Sequence, residues 1–213
     1  MGFKNKRILI TAGPTWVPVD SVRVISNTAT GSTGISLAES LSGLRAKVTL
    51  LLGPVGDCAF GGKISVIRFK FFDELRRIVR KKLSLNRYDI IIHSAAVSDF
   101  KPKRSIKGKL KSQKNHTLVL TPLPKIIKEM RRLAPLAKLV MFKLEPDAAG
   151  RTLISRARSA LIEASGDLVV ANKITPRYEA YILGRDKIYA RANSKKELIS
   201  RLIELLRQGY PSL

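Results

Sequence analysis

Short apolar runs alternate with longer amphipathic stretches along most of the chain. Short runs of β-branched residues and leucine are typical of strands that are covered on both faces, whereas apolar residues at every third or fourth position are typical of helices. The apolar runs predict strands at residues 7–11, 47–52, 64–69, 89–93, 117–120, 138–144, 167–171, 180–183 and 187–190. The amphipathic stretches predict helices at residues 32–45, 73–85, 124–133, 152–164 and 194–207.

This alternation predicts an α/β fold. Strands that alternate with helices form a parallel sheet with right-handed crossovers, so we expect a Rossmann-like, doubly wound, mostly parallel sheet with helices on both faces. Near the C-terminus, Gly184-Arg185-Asp186 separates two apolar runs and predicts a β-hairpin. Ser194, with Glu197 three residues later, predicts the capped start of the last helix. We expect one domain over residues 1–213.

The composition narrows the possible classes of protein. Forty Lys and Arg residues against sixteen Asp and Glu give a net charge of +24, which suggests either nucleic acid or small anionic substrates as ligands. Only 6% of the residues are aromatic, without the spacing of a base-stacking surface, which favours small anions. Neither a membrane-length apolar run nor a signal-peptide pattern occurs. The single cysteine, Cys58, excludes an internal disulfide, so we expect a cytoplasmic protein.

Three segments combine polar or small residues with predicted ends of strands or starts of helices. Gly13, in the turn after the first strand, could present backbone N–H groups to an anion. Arg23 and Asn27 lie in a polar stretch that leads into the first predicted helix, where Arg23 could clamp an anion or simply pair with Asp20. After the strand at 89–93, small residues allow a ligand close to the backbone, and Asp99 could hold a ribose hydroxyl or Mg²⁺ or merely cap a helix.

The chain lacks the features of an NAD(P)-dependent oxidoreductase. The turn after the first strand carries Pro14 instead of a G-x-G-x-x-G pattern, and no Tyr-x-x-x-Lys pair occurs.

The one long segment without apolar periodicity, residues 100–116, contains seven Lys and Arg residues between positions 101 and 114. Structureless loops of this length are usually functional or disordered.

Taken in order, these motifs resemble the phosphopantothenoylcysteine synthetase domain, which occurs alone or fused behind a flavin-containing decarboxylase. The matching segments are ITAGPTxxPVDxVRxISNxxTGxxG, a GP pair after the second strand, SAAVSDFKP, KGKLKS, FKLE and DLVVAN. They cover nearly the whole chain with fitting gaps. The most specific parts are the segments around Asn27 and from Ala95 to Asp99.

The resemblance implies a ligase of coenzyme A biosynthesis. Such an enzyme makes an acyl-nucleotide from 4'-phosphopantothenate and CTP or ATP with release of pyrophosphate, and the amine of cysteine then displaces the nucleoside monophosphate. It implies Mg²⁺ with the nucleotide, no flavin, a homodimer formed through a small β-hairpin or loop element, and a separate decarboxylase for the next step. Two alternatives remain: a nucleotide-binding relative without ligase activity, and a basic nucleic-acid-binding protein.

The resemblance also assigns site residues. Those expected to be catalytic are Asn27 and Lys109, the lysine that lies fourteen residues after Ala95. Those expected to bind phosphopantothenate are Arg23, Asn27, Thr30, Gly31, Ala95 and Ala96. Those expected to bind the nucleotide are Gly13, Thr15, Ala95, Asp99, Lys109, Pro124, Ile126 and Phe142, with Asp99 as a candidate Mg²⁺ ligand.

The match departs from the family pattern in the nucleotide half of the site. The positions of two family lysines that contact the triphosphate are occupied by Ala160 and Ala164, with Arg156 and Arg158 nearby as candidate replacements. An acidic family position in the TPDI-like stretch at 121–126 is Lys125. The sequence therefore leaves open whether CTP or ATP is used.

Overall fold

The computed structural model describes residues 2–104, 106–148, 150–174 and 177–209. Its strands, in chain order, are β1 (Arg7–Ala12), β2 (Trp16–Pro18), β3 (Val24–Ser26), β4 (Lys47–Leu52), β5 (Ile64–Arg68), β6 (Ile90–His93), β7 (Phe100–Pro102), β8 (Leu120–Pro122), β9 (Lys138–Leu144), β10 (Leu168–Lys173), β11 (Glu179–Leu183) and β12 (Ile188–Ala192). Its helices are α1 (Ser32–Gly43), α2 (Phe72–Leu85), α3 (Ile126–Leu133), α4 (Gly150–Glu163) and α5 (Lys195–Gln208).

Eight strands form one central sheet in the order β12-β11-β10-β9-β6-β1-β4-β5. The six strands from β10 to β5 run parallel, and β11 and β12 add an antiparallel hairpin at one edge. This confirms the predicted doubly wound, mostly parallel α/β fold. Because β4 and β5 lie on one side of β1 and β6 lies on the other, the strand order reverses between β1 and β6, and ligand sites of such sheets lie at this reversal.

Alternating side chains of the buried strands supply two cores, one on each face of the sheet. On one face, Leu9 of β1 belongs to a cluster with Leu75 of α2 and Met130 of α3. On the other face, Ile8 of β1 belongs to a cluster that contains Leu37 of α1, together with apolar residues of α5. Successive strand residues point to opposite faces, so an uninterrupted apolar run such as that of β1 requires helices on both sides.

The predicted helices and the strands of the central sheet are confirmed, with ends that differ by a few residues. Ser194 caps α5 as predicted, because its Oγ accepts a hydrogen bond from the backbone N–H of Glu197 at 3.1 Å. The carboxylate of Glu197 accepts from the N–H of Asn193 rather than from that of Ser194. The capping interaction therefore extends one residue further back than the predicted capping box.

The predicted strand at 117–120 is wrong. The strand in this region is β8, which pairs antiparallel with β7 in a separate two-stranded ribbon outside the central sheet. Val119 and Leu120 are exposed, so their apolar character reflects the surface of this ribbon rather than burial within the central sheet. A second small ribbon, formed by β2 and β3, was not predicted, since each of its strands is only three residues long.

Gly34 allows α1 to begin directly against the sheet. A Cβ atom at this position would lie 2.6 Å from Cβ of Ala12 and 2.6 Å from Oγ of Ser94. Since real side chains do not tolerate such contacts with neighbouring atoms, only glycine lets the first turn of α1 approach the ends of β1 and β6 this closely. The described residues contain no helix with the length and apolar character that crossing a membrane requires.

We expect Gly34→Ala to destabilise the protein by about 1–3 kcal/mol, because the added methyl group overpacks the junction of α1 with β1 and β6. Gly43→Ala is the matched control, since nothing lies within 4 Å of a Cβ at Gly43 of the same helix. It should leave stability unchanged or raise it by up to about 1 kcal/mol. Urea unfolding of both variants measures the difference, and equal stabilities would contradict the proposed close approach.

Candidate active site

A cleft of about 790 Å³ opens at the carboxyl ends of the parallel strands, at the reversal between β1 and β6. Its walls come from the ends of β6, β9 and β10, the loop before α1, the first turns of α1, α3 and α5, and the last turn of α4. The longest contributing segments are residues 27–34, 93–99, 124–128 and 141–144. The fold thus brings together segments that are more than a hundred residues apart in the sequence.

Hydrogen bonds join the two chain segments that leave β1 and β6. Ser94 donates from Oγ to the carbonyl of Thr11 at 2.8 Å, and the N–H of Ala96 donates to the carbonyl of Gly13 at 2.9 Å. The hydroxyl of Thr11 lies 2.8 Å from Nδ1 of His93. The small residues Gly13, Ala95 and Ala96 all line the cleft, so a ligand can approach the backbone there.

Thr15 stabilises the segment that leaves β6 and does not line the cleft. It is fully buried; its hydroxyl donates to Oγ of Ser98 at 3.1 Å and accepts from the N–H of Ser98 at 2.9 Å. Burial leaves no surface of Thr15 for the nucleotide contact that the sequence predicted. Its contacts instead hold the segment between Ala96 and Asp99 in position.

Asn27 closes one side of the cleft and is held by its own amide group. Its Nδ2 donates to the carbonyls of Ala96 at 3.2 Å and Val97 at 3.1 Å. These two bonds use the donor end of the carboxamide, so Oδ1 remains as an acceptor for a ligand. Asn27 therefore links the end of β3 to the segment after β6.

Most of the predicted site residues lie together in this cleft. Those that line it are Gly13, Asn27, Thr30, Gly31, Ala95, Ala96, Asp99, Pro124, Ile126 and Phe142. Gly31 is the N-cap of α1 and adopts a left-handed conformation with φ of 71°. The first turn of α1 therefore faces the cleft, where its backbone N–H groups and the helix dipole favour an anion.

Arg23 and Lys109 do not line the cleft. Arg23 pairs with the buried Asp20 at 2.5 Å, which is the plain alternative that the sequence left open. Lys109 is exposed in the loop that follows β7, next to residues that are hydrogen-bonded to the turn between β2 and β3. Both residues belong to the same local structure, the β2–β3 ribbon and the loop that rests on it.

Lysines that the sequence did not assign to the site line the cleft. They are Lys125, Lys128, Lys143 and Lys195. Three of them pair with carboxylates: Lys125 with Asp99 at 2.5 Å, Lys128 with Glu163 at 2.8 Å and Lys143 with Glu145 at 3.1 Å. Lys195, at the start of α5, instead donates to Oγ of Ser32 at 3.2 Å. The sequence signal was slight, since each is a single lysine in a strongly basic chain.

These lysines, and not the two arginines named from the sequence, provide the positive charge at the cleft. Ala160 and Ala164 do line the cleft, as their alignment with the family lysines implied. Arg156 pairs with Glu145 at 2.7 Å, and Arg158 donates to the carbonyl of Asp186 at 3.1 Å. Neither arginine lines the cleft, because their side chains are directed to these partners.

His93 is the one histidine among the residues that line the cleft. Desolvation of its ring lowers the pKa of His93 to about 4, so the imidazole is neutral at physiological pH. A neutral ring with Nδ1 beside the Thr11 hydroxyl can exchange hydrogen bonds with a ligand without adding charge to the site.

Across the described ranges of the chain, no three His, Cys, Asp or Glu side chains cluster in a way that would hold a metal ion. Asp99 is the carboxylate on the β6 side of the cleft, and it is exposed. A single carboxylate suits Mg²⁺ that arrives with phosphates, since Mg²⁺ commonly takes one or two carboxylates together with phosphate oxygens.

Comparison with known proteins identifies relatives over almost the entire chain. Residues 3–207 match the family model described as the DNA/pantothenate metabolism flavoprotein C-terminal domain. The coenzyme A biosynthesis bifunctional protein CoaBC of Thermococcus kodakarensis is 35% identical over 206 residues, which cover 94% of this chain and 50% of the relative. The CoaBC protein of Methanocaldococcus jannaschii is 30% identical over 220 residues, which cover 96% of this chain and 51% of the relative.

A solved structure supports the fold. The crystal structure of the DNA/pantothenate metabolism flavoprotein from Streptococcus pneumoniae superposes with a TM-score of 0.86 at 24% identity, over 96% of this chain and 100% of that chain. The chain spans about half the length of the curated relatives that it matches.

We expect His93→Asn to make stability less dependent on pH. Between pH 6.5 and about pH 5, an unfolded histidine binds a proton that the folded His93, with a pKa of about 4, does not, so wild-type stability falls as the pH falls. Asparagine cannot take up this proton. Urea unfolding at several pH values in this window should give a shallower slope for the variant, and equal slopes would mean that His93 titrates as it does in the unfolded chain.

Proposed function

Because the chain belongs to the family of DNA/pantothenate metabolism flavoprotein C-terminal domains, we propose that it is a phosphopantothenate–cysteine ligase of coenzyme A biosynthesis. In this reaction the carboxylate of 4'-phosphopantothenate attacks the α-phosphate of CTP or ATP, and pyrophosphate leaves. The amine of cysteine then attacks the acyl carbon, forming the amide and releasing the nucleoside monophosphate. The observation that carries the proposal is the cleft, which joins Asn27, the Ala95–Asp99 segment and an array of lysines.

The charges at the cleft suit the first step. A carboxylate and a triphosphate repel each other, so an enzyme that joins them must supply positive charge. Four lysines against two carboxylates, Asp99 and Glu163, line the cleft, and the first turn of α1 adds backbone N–H groups. In the absence of substrate, most of these lysines pair with nearby carboxylates, which phosphate groups can replace as partners.

The residues that line the cleft suggest how the substrates lie. Pro124, Ile126 and Phe142 are apolar members of the lining, and we propose that they contact the nucleotide base. Asp99 lies beside them, where it would bind the ribose or hold Mg²⁺ that arrives with the triphosphate and neutralises phosphate charge. We place the acyl group next to Ala95, Ala96 and the acceptor Oδ1 of Asn27, which would accept a hydrogen bond from an N–H group of the substrate.

We propose that Lys109 acts from the loop after β7. Its ammonium group would neutralise the α-phosphate as negative charge moves to the departing pyrophosphate. Lys109 is outside the cleft lining, so this role requires the loop to close when substrates bind. Closure would also keep water away from the reactive acyl phosphate.

The same proposal includes partners and location. We propose a homodimer, because Phe100, Val119 and Leu120 form an exposed apolar surface on the β7–β8 ribbon. A mass near 23.6 kDa in solution at micromolar concentration would remove the dimer from the proposal.

A separate decarboxylase would act on the product. We place the reaction in the cytoplasm, since Cys58 is a free thiol.

The half-reaction without cysteine tests the activity. We expect pyrophosphate release from phosphopantothenate with either CTP or ATP, and a fall in its rate of roughly 100-fold in Lys109→Gln, where the positive charge is lost. Lys111→Gln, an exposed lysine in the same loop, is the matched control and should keep the wild-type rate. Nucleotide binding without pyrophosphate release would contradict ligase activity and favour a nucleotide-binding relative.

Asn27→Asp should impair the second half-reaction more than the first. The carboxylate removes both N–H donors and places negative charge against the carbonyls of Ala96 and Val97, so Asn27 loses its fixed position. We expect the acyl-nucleotide to accumulate and amide formation to fall by roughly 100-fold. Rapid quenching followed by chromatography measures the intermediate, and unaltered turnover would exclude Asn27 from the reaction.

A further inference from the structure

The turn between β2 and β3 contains a buried carboxylate, Asp20, whose side chain has no exposed surface. Asp20 lies outside the cleft lining, and the reaction proposed above does not use it. A buried carboxylate needs several donors to offset the loss of water. The donors that surround Asp20 come from two separate parts of the chain.

The two carboxylate oxygens of Asp20 have different partners. Oδ1 accepts from the N–H groups of Val22 at 2.9 Å and Arg23 at 2.8 Å, which closes the turn locally. Oδ2 accepts from Nη1 of Arg23 at 2.5 Å and from the N–H of Leu110 at 3.0 Å. The last bond joins residues that are 90 positions apart.

Further bonds hold the chain on both sides of Lys109 to the same turn. The N–H of Ser21 donates to the carbonyl of Gly108 at 3.1 Å, and Nη1 of Arg23 lies 3.4 Å from the carbonyl of Leu110. Lys109 itself is exposed, and within the described part of the chain nothing accepts a hydrogen bond from its ammonium group. The backbone on both sides of Lys109 is thus bonded to the β2–β3 turn, so the loop and the turn would move together when the loop closes, while the Lys109 side chain remains available.

We propose that Asp20 is a positioning residue: its carboxylate fixes the loop on both sides of Lys109 to the β2–β3 turn and so sets the point from which Lys109 reaches the cleft. The inference rests on the proposed function for the role of Lys109. The anchor itself is a property of the folded chain and can be measured without any substrate.

The anchor connects Lys109 to the opposite side of the site. The β2–β3 ribbon that carries Asp20 continues from β3 into Asn27, whose amide is bonded to the segment after β6. Asn27 and the Lys109 loop are therefore attached to the same small ribbon, at its two ends. A shift of this ribbon would move both residues that the reaction is proposed to use.

The charge of Asp20 persists over the working pH range. The hydrogen bond from the Leu110 N–H is the largest of several contributions that hold the pKa of Asp20 far below its usual value, against the opposing effect of burial. A carboxyl group with a lowered pKa stays ionised as the pH falls well past the normal value of 3.8. The anchor should therefore be unchanged between about pH 5 and pH 8.

Asp20→Asn should keep the bonds that close the β2–β3 turn and break the bond that holds the Lys109 loop. The carbonyl oxygen of asparagine can still accept from Val22 and Arg23, but an NH₂ group would then face the N–H of Leu110 and the guanidinium of Arg23, which are both donors. The loop can move away from this clash more readily than the turn, whose two N–H groups are held locally. The variant should keep the β2–β3 turn and release the loop.

Two measurements follow, with Asp186→Asn as the matched control. Asp186 is exposed in the turn between β11 and β12, which lies at the amino ends of the parallel strands, whereas the cleft lies at their carboxyl ends. In Asp20→Asn we expect hydrogen exchange at Leu110 to accelerate by roughly tenfold or more, while exchange within β1 and β4 stays at the wild-type rate. The kcat of pyrophosphate release should fall by roughly 10- to 100-fold with a much smaller change in KM. Asp186→Asn should change neither.

A double variant tests whether Asp20 acts through Lys109. If it does, Asp20→Asn should have little further effect on the rate in a Lys109→Gln background, and additive losses would overturn the inference. Unchanged exchange at Leu110 in Asp20→Asn would overturn it as well. If the wild-type protein releases no pyrophosphate, the proposed function fails, and the exchange measurement still decides whether Asp20 anchors the loop.

Discussion

The hydrogen bonds between the segments that leave β1 and β6 are the interaction on which the site depends. Where the strand order of a doubly wound sheet reverses, the two neighbouring strands send their chains to opposite faces, so a gap opens between them. Here Ser94 and Ala96 bond to the β1 segment across that gap and form the floor of the cleft. Two further elements attach to these joined segments. Helix α1 approaches them closely at Gly34, and Asn27 donates two hydrogen bonds to the segment after β6.

The sequence predicted the central fold well because buried parallel strands have a simple pattern. Apolar runs such as that of β1 are uninterrupted, and Ser194 marks the start of α5 by local chemistry alone. The two small ribbons were missed or misplaced, since strands of three residues carry no periodicity and Val119 is apolar without being buried. Local pattern does not report which apolar residues tertiary packing will cover.

The predictions of site residues succeeded and failed for the same reason. Asn27 and Ala95 were predicted because they lie within specific motifs, and both line the cleft. The lysines were not, because Lys143 and Lys195 reach the cleft only through the arrangement of β9 and α5 in three dimensions. Arg156 was named from its position in α4, yet it pairs with Glu145 and does not line the cleft, since a residue's distance along the chain does not fix the direction of its side chain. The role of Asp20 in joining two distant segments likewise required the structure.

The contact between Lys195 and Ser32 spans 163 positions of the chain, and α5 shares a core with α1 through Leu202 and Leu41. A ribosome that makes the chain from its N-terminus therefore produces nearly every wall of the cleft before the segment that completes it. During synthesis, part of the apolar face of α1 therefore remains uncovered until α5 has been made. The last helix thus determines when the nascent chain can first acquire a finished binding site.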